Sequence, residues 1–219
     1  MIHIKKIYKM LLAYFGEQGW WHADSIFEIC VGIILVQRTT WQNAAKGIEN
    51  LKKNHLLNVK KIAEASLKEL QVQLRSTGFY RQKVKYLKNF SGYCLEKYNG
   101  DLENWFRKPT KELREELLQI KGIGEETADS ILLYAAERPV FVVDAYTQRI
   151  LVRLGIVNRK SSFSEIKKLI ESELLPDLKM YKELRALFVE LGKNFCKTVP
   201  NCKNCPLGSV CPKRNLVIG

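Results

Sequence analysis

Residues 120–150 of this chain read IKGIGEETADSILLYAAERPVFVVDAYTQRI. The residues just before its glycines, 111–120, and those just after, 125–136, both carry apolar side chains at helical spacing. Gly122 and Gly124 lie between these patterns, where they allow the backbone to turn sharply and to approach another backbone closely. This predicts two helices joined by a hairpin whose exposed N–H groups form an anion site suited to a phosphate. A plain turn between helices explains the same glycines, so both interpretations stay open.

Asp144 stands between the extended segment RPVFVV, at 138–143, and a third helical pattern, AYTQRILVRLG, at 145–155. An aspartate directly before a helix is a favourable N-cap, because its carboxylate accepts a hydrogen bond from a backbone N–H of the first turn. Capping alone explains this residue. A functional carboxylate that follows the hairpin is the second interpretation.

Apolar residues recur at helical spacing along almost the whole chain, and the strict alternation of half-buried strands is absent. The pattern predicts an all-α fold. Glycine and proline breakers divide it into two helical lobes. One is a helical barrel at 24–137, and the other is a discontinuous domain formed by 1–23 and 138–219. The basic, amphipathic N-terminal segment is expected to be a core helix of the second domain.

The charge of the chain points to a polyanion as its partner. The 219 residues include 36 Lys and Arg against 23 Asp and Glu, which gives a formal net charge of +13 at pH 7. Such an excess attracts nucleic acid, although a merely basic surface explains it equally well. The longest apolar run, near 30–36, is far shorter than the roughly 20 residues that span a bilayer. No signal-peptide cleavage site follows the N-terminal segment, so a cytoplasmic protein without membrane contact is expected.

Four cysteines near the C-terminus form a compact metal-binding pattern. The segment 196–211, CKTVPNCKNCPLGSVC, has the spacing C-x5-C-x2-C-x5-C. In a reducing compartment such a run holds a metal rather than disulfides. The spacing favours an iron–sulfur cluster over zinc, because zinc ribbons pair two C-x2-C knuckles and only one is present here. Zinc and free thiols remain alternatives, and the candidate ligands are Cys196, Cys202, Cys205 and Cys211.

Hairpin, aspartate and cysteine loop, in this order, resemble the helix-hairpin-helix DNA glycosylases of the endonuclease III superfamily. The resemblance covers most of the chain, from FEICVGIILVQRTT at 27–40 through TGFYRQKVKYL at 77–87 to the cysteine loop. It implies a six-helix barrel that carries the hairpin and a second domain that carries a [4Fe-4S] loop at 196–211. It also implies double-stranded DNA with a damaged base as the partner. The first gap between cysteines is five residues here, where the family has six.

The same resemblance implies roles for individual residues. Asp144 matches the family's catalytic aspartate, and Gln37 matches its lesion-facing glutamine. DNA contacts are implied for the residues that match the hairpin, the glutamine and the 77–87 segment, namely Gln37, Gly78, Tyr80, Lys83, Lys121, Gly122, Gly124 and Thr127.

One position departs from the bifunctional members of the family. Those members carry a lysine two residues after the second hairpin glycine, and it attacks the sugar to form a Schiff base. This chain has Glu126 there. Because a carboxylate cannot form an imine, a monofunctional enzyme that uses water as nucleophile is expected. Glu126 is also a candidate for the floor of the base pocket, as a base contact or as half of an ion pair.

Four segments are similar to the bacterial 3-methyladenine DNA glycosylases of the endonuclease III-like type: GWW at 19–21, RTTW at 38–41, GFYRQK at 78–83 and KGIGEETADSILLYA at 121–135. The similarity implies aromatic walls around a cationic alkylated purine, with Trp20 or Trp21 on one side and Trp41 on the other. Tryptophans that only fill the core are the alternative.

The sequence therefore predicts a monomeric, monofunctional DNA glycosylase of base excision repair that works at the nucleoid of a prokaryote. Two rival functions stay open. One is a bifunctional glycosylase and AP lyase for oxidised pyrimidines, and the other is a non-catalytic DNA-binding protein of the same fold.

Overall fold

The computed structural model describes residues 2–213, and in that range it contains helices and no β-strand. The all-α prediction is confirmed. The α-helices are α1 (Ile4–Phe15), α2 (Ile26–Leu35), α3 (Trp41–Lys53), α4 (Val59–Glu64), α5 (Leu67–Gln73), α6 (Tyr80–Tyr98), α7 (Leu102–Phe106), α8 (Thr110–Gln119), α9 (Glu125–Ser130), α10 (Ala145–Arg153), α11 (Phe163–Glu173) and α12 (Leu178–Asn194). Within the described range, none of the helices is long and apolar enough to cross a membrane.

The chain forms two compact units. The barrel unit is Trp21–Arg138, and the terminal unit comprises the described residues up to Trp20 and from Pro139 onward. The boundaries expected from the sequence, 24–137 for the barrel and 1–23 with 138–219 for the second domain, lie close to these. Residue 1 and residues 214–219 of that expectation lie outside the described range.

Helix α2 is the centre of the barrel unit. It begins at the Ser25 N-cap, whose hydroxyl accepts a hydrogen bond from the Glu28 backbone N–H. Its residues from Cys30 to Leu35 are buried, and the helix packs against α3, α6, α9 and the segment that follows α9. Lys52 of α3 lies 2.7 Å from the Glu28 carboxylate and 2.7 Å from that of Asp24, which ties the start of α2 to α3.

The hairpin between α8 and α9 shows why one of its two glycines is required. Gly122 has φ +107°, and a Cβ there would lie 2.0 Å from the Tyr86 ring. Gly124 has φ −93°, and a Cβ there would meet nothing within 4 Å. The close approach predicted for both glycines is therefore needed at Gly122 alone. An ion pair between Arg114 Nε and Asp129 Oδ1, at 2.7 Å, holds α8 against α9.

The helix after the hairpin differs from the expected regular helix at 125–136. It is α-helical only over Glu125–Ser130 and continues as a π-helix over Ile131–Ala135. Single π turns are uncommon and often lie at functional sites. All five π-helical residues are buried.

The terminal unit is built on α12, which packs against α1 and α10. Close packing against α10 depends on Gly192, because a Cβ there would lie 2.2 Å from the Tyr146 ring. Helix α11 begins with a capping box formed by Ser162 and Glu165. The extended segment after Pro139 is fixed to α11 by a hydrogen bond from the Phe141 N–H to Glu171, at 2.8 Å.

Candidate active site

Asp144 is the N-cap of α10, as the sequence indicates, and its carboxylate makes a second interaction. Oδ1 accepts hydrogen bonds from the Thr147 backbone N–H, at 2.8 Å, and from the Thr147 hydroxyl, at 3.0 Å. Oδ2 lies 3.6 Å from Nη2 of Arg185 on α12. Asp144 is only 5% exposed. The result is a buried carboxylate with a counter-charge and a fixed orientation, which is more than a helix cap requires.

Trp20 lies in the terminal unit and has two cations near its ring. Arg185 Cζ is 5.7 Å from the ring centroid, and Lys193 Nζ is 6.0 Å from it. The backbone before the tryptophan is held by Glu183, whose carboxylate accepts from the N–H of Gln18, at 2.5 Å, and of Gly19, at 3.4 Å. Helix α12 thus fixes both the ring of Trp20 and the turn that leads to it.

Trp21 and Trp41 form an aromatic cluster in the barrel unit. Their rings pack edge to face, with centroids 4.8 Å apart and planes at 88°. Trp41, 43% exposed, begins α3 directly after the Thr40 N-cap. A Cβ at Gly32 would lie 3.0 Å from Trp21 and 3.3 Å from Trp41, so the bare backbone of α2 makes room for both rings.

Tyr134 completes this cluster, although no sequence pattern predicts it there. Its ring centroid is 5.4 Å from that of Trp21, with planes at 61°. It lies in the π-helical segment, where the extra residue per turn changes the direction of each side chain from that of a regular helix. A helical pattern read at 3.6 residues per turn cannot predict this contact.

The predicted hairpin residues contact one another through Gln37, which follows α2. Its Nε2 donates to the Gly122 carbonyl, at 3.3 Å, and to the Thr127 hydroxyl, at 3.1 Å. Thr127 is 8% exposed. The Lys121 carbonyl accepts from Asn89 Nδ2, at 2.8 Å. Gln37 and Thr127 therefore stabilise the hairpin, while Lys121, Gly124 and Glu126 are exposed on it.

The turn before α6 has strained backbone at an exposed aromatic residue. Gly78 has φ +61°, and Phe79 has φ +47° with 68% of its surface exposed. A bulky residue in the left-handed region is uncommon and marks a strained position. Tyr80 begins α6 directly after it. The sequence pointed to Gly78 and Tyr80 but missed Phe79, since neither spacing nor charge distinguishes an exposed phenylalanine from a core one.

Lys83 has a different environment from the one expected of a DNA contact. Its side chain is only 2% exposed, and Nζ donates to the Thr77 carbonyl at 2.5 Å. Burial lowers the pKa of the Lys83 amine to about 8. A buried amine cannot present its charge to a phosphate, so this burial argues against a direct contact. Lys83 instead stabilises the strained turn at Gly78 through its hydrogen bond to the Thr77 carbonyl.

The cysteine loop is joined to α10 by two arginines. Arg149 Nε donates to the Cys196 carbonyl, at 2.8 Å. Arg153 donates to the Cys196 sulfur, at 3.2 Å, and to the carbonyls of Lys197 and Thr198, at 2.6 and 2.9 Å. Arg153 is 7% exposed, so its charge lies inside the loop.

The four loop cysteines are half-buried, and their chemistry suits a metal cluster. Burial raises the pKa of the Cys205 and Cys211 thiols, and the neighbouring cysteines raise it further. A bound metal would counter this by stabilising thiolates, and Arg153 supplies a positive charge beside Cys196. Within residues 2–213, no group of three or more His, Cys, Asp or Glu side chains is arranged to hold a metal ion. The four cysteines are the residue types that an iron–sulfur cluster needs, but their side chains are not gathered around a common metal position here, so the cluster stays a prediction.

Comparison with known proteins identifies the family. The sequence model of one protein family, the HhH-GPD superfamily of base excision DNA repair proteins, matches residues 31–176, which are two thirds of the chain. The chain belongs to this superfamily. The resemblance to DNA glycosylases of the endonuclease III superfamily is therefore confirmed.

Two relatives match over most of their length. A protein of Methanocaldococcus jannaschii, named as a candidate DNA repair glycosylase, is 48% identical over 210 residues, which are 95% of each chain. Endonuclease III of Thermotoga maritima is 30% identical over 186 residues, covering 84% of this chain and 82% of its own.

Solved structures of the superfamily share the fold. The crystal structure of H. pylori 3-methyladenine DNA glycosylase bound to 1,N6-ethenoadenine superimposes with a TM-score of 0.77 at 30% identity, covering 88% of this chain and 98% of that one. A trapped endonuclease III–DNA covalent intermediate gives a TM-score of 0.82 at 23% identity, covering 97% of both chains.

Proposed function

We propose that this HhH-GPD protein is a monofunctional DNA glycosylase that hydrolyses the N-glycosidic bond of a flipped alkylated purine, such as 3-methyladenine, in double-stranded DNA. The observation that carries the proposal is the buried, fixed carboxylate of Asp144. In this proposal the protein acts as a monomer on nucleoid DNA in the cytoplasm.

The reaction needs one carboxylate and one water. An N3- or N7-alkylated purine is cationic, so its bond to the sugar is already weakened and it leaves as a neutral base with the bonding electron pair. Positive charge then develops on the sugar, and the negative charge of Asp144 stabilises it. Water adds to the anomeric carbon and loses a proton, which leaves an abasic sugar in an intact strand. The three hydrogen-bond and ion-pair contacts to Asp144 hold the carboxylate in place without reorganisation.

Glu126 supports a monofunctional enzyme. It lies exposed in the first turn of α9, at the position where a lyase of this family carries its amine. A carboxylate cannot form a Schiff base with the sugar. Abasic DNA is therefore the final product.

The aromatic cluster of Trp21, Trp41 and Tyr134 supports an alkylated purine as substrate. Aromatic faces favour a cationic base by roughly 0.5–2 kcal/mol. Trp41 is the exposed member and takes the role of stacking partner. The 30% identity to the H. pylori enzyme, whose name gives 3-methyladenine as its substrate, points to the same class of base.

Two parts of the protein contact DNA in this proposal: the hairpin binds the DNA backbone, and the strained turn at Gly78 and Phe79 contacts a base. The N–H groups of the hairpin at Lys121, Gly122 and Gly124 bind phosphate, and the excess of basic residues adds attraction along the duplex. Phe79 offers an exposed ring beside Gly78 and Tyr80 that can stack on an unpaired base. Gln37 and Thr127 support this surface through the hairpin.

Cys196, Cys202, Cys205 and Cys211 would hold a [4Fe-4S] cluster. When bound, it would make the loop rigid rather than take part in hydrolysis. Arg149 and Arg153 would then fix α10, and with it Asp144 at its N-terminus, to that rigid loop.

A panel of duplexes tests the proposal, each with a single lesion: an alkylated purine, 1,N6-ethenoadenine, an oxidised pyrimidine, 8-oxoguanine or mismatched thymine. We expect base release from the alkylated purine, and its loss in the Asp144→Asn variant with abasic-site binding retained. Release of oxidised pyrimidines with strand cleavage would favour a bifunctional enzyme. Binding without any base release would indicate a non-catalytic protein.

A further inference from the structure

Arg185 is a buried cation that contacts two site residues at once. Its side chain is 12% exposed and lies on α12. The guanidinium is 3.6 Å from Asp144 Oδ2 on one side and 5.7 Å from the centroid of the Trp20 ring on the other. Helix capping explains neither contact, because the cap is made by Oδ1 alone.

The two carboxylate oxygens of Asp144 have different partners. Oδ1 accepts hydrogen bonds from both donors of Thr147, whereas Oδ2 forms an ion pair with Arg185. Anchoring one oxygen leaves the carboxylate able to pivot about it. The second contact, from a different helix, is what fixes the direction of Oδ2.

The distance to Oδ2 is also informative. A direct guanidinium–carboxylate hydrogen bond is about 2.7–2.9 Å long, and a bidentate pair would occupy both lone-pair sites of the oxygens. At 3.6 Å, Arg185 supplies charge without occupying Oδ2. The guanidinium also lies over the ring of Trp20, and Glu183 holds the backbone just before that residue, at Gln18 and Gly19.

We propose that Arg185 is a positioning residue for Asp144, and that Trp20 sets the distance at which it acts. The inference rests on the proposed function, since it concerns how the reacting carboxylate is held. Trp20 and Arg185 then form one functional unit. Without the arginine, Oδ2 loses its partner and can rotate. Without the Trp20 ring, the guanidinium can move into direct hydrogen-bond contact with Oδ2. Either change is expected to lower the rate of base release.

The test compares Arg185→Gln, Arg185→Lys and Trp20→Leu with the double variant Trp20→Leu/Arg185→Gln. Lys179→Gln is the matched control, because Lys179 is an exposed cation on the same helix that pairs with Glu17. Two quantities are measured for each: the single-turnover rate of base release from alkylated duplex, and the affinity for an abasic duplex.

We expect Arg185→Gln to slow base release by about 10- to 100-fold, the loss that misplacement of a reacting group produces. Its affinity for abasic DNA should match that of Lys179→Gln, and Arg185→Lys should restore part of the rate. Because the pair acts as a unit, the double variant should be no slower than the slower single variant.

An Arg185→Gln rate equal to that of Lys179→Gln would overturn the inference, as would strictly multiplicative losses in the double variant. If Arg185→Gln does not fold, Arg185→Lys and Trp20→Leu decide, and wild-type rates in both would overturn the inference. The proposed function fails separately, through a wild-type protein that releases no base or an Asp144→Asn variant that stays active.

Discussion

Replacing Trp41 with leucine separates stacking on the base from packing of the protein. The ring is 43% exposed and contacts Trp21 edge to face, so its open part is available to a flipped base. Stacking of one base on an aromatic ring contributes about 1–3 kcal/mol, which corresponds to a loss of roughly 5- to 150-fold in the rate of base release. Trp41→Leu should slow single-turnover release by a factor in this range.

The cost in stability should be modest for the same reason. Truncating a fully buried tryptophan to alanine costs about 3–5 kcal/mol; leucine removes less of the side chain, and Trp41 has little more than half its surface buried. Together with the lost edge-to-face contact, we expect a loss of roughly 2 kcal/mol in the free energy of unfolding. Urea unfolding followed by circular dichroism measures it.

Trp105→Leu is the matched control in the same unit. Trp105 is fully buried, and its indole N–H donates to Glu116 at 2.8 Å. This variant should lose more stability than Trp41→Leu yet retain the wild-type rate per folded molecule. The reasoning is refuted if Trp41→Leu releases base at the wild-type rate, or if it loses as much stability as Trp105→Leu.

Three further predictions concern the iron–sulfur cluster, the hairpin between α8 and α9, and the buried Lys83. Protein purified without oxygen should be brown and contain about four irons per chain, and stoichiometric zinc with no iron would contradict this. Gly122→Ala should weaken binding to undamaged duplex, because the added Cβ would clash with Tyr86, whereas Gly124→Ala should leave the affinity unchanged. Equal effects of the two substitutions would count against a role for the turn geometry. The affinity of the wild-type protein for the same duplex should fall steeply with salt. Burial lowers the pKa of Lys83 to about 8, below its ordinary 10.5, so the unfolded chain binds more protons between these pH values and stability should rise with pH there by up to about 3 kcal/mol. Lys83→Met should abolish that rise in pH-dependent urea unfolding, and an unchanged slope would show that another group causes it.

Local features of this chain could be predicted from the sequence because they depend on neighbouring residues. The hairpin glycines and the Asp144 cap are set within a few positions, and helical spacing identifies the all-α fold. The close approach predicted at Gly124 is wrong, because such an approach depends on the residue opposite: Gly122 faces Tyr86, whereas a Cβ at Gly124 would meet nothing within 4 Å.

Features that depend on distant residues could not be predicted. Trp20 and Trp21 are adjacent in sequence, yet their rings have different partners: Arg185 and Lys193 for the first, Trp41 and Tyr134 for the second. In the sequence of α12, Arg185 looks like any other basic residue. Its contacts are with Asp144 and Trp20, which lie far away in the chain.

Product analysis on alkylated duplex DNA tests the central claim most directly. The labelled duplex is incubated with enzyme, with and without borohydride, and free base, strand length and protein-bound label are measured together. Free alkylated purine, a strand that breaks only after alkali, and no trapped adduct are the expected results, because Asp144 acts with water and Glu126 cannot form an imine. A covalent enzyme–DNA adduct together with strand cleavage would contradict the account and indicate a lyase with another amine nucleophile.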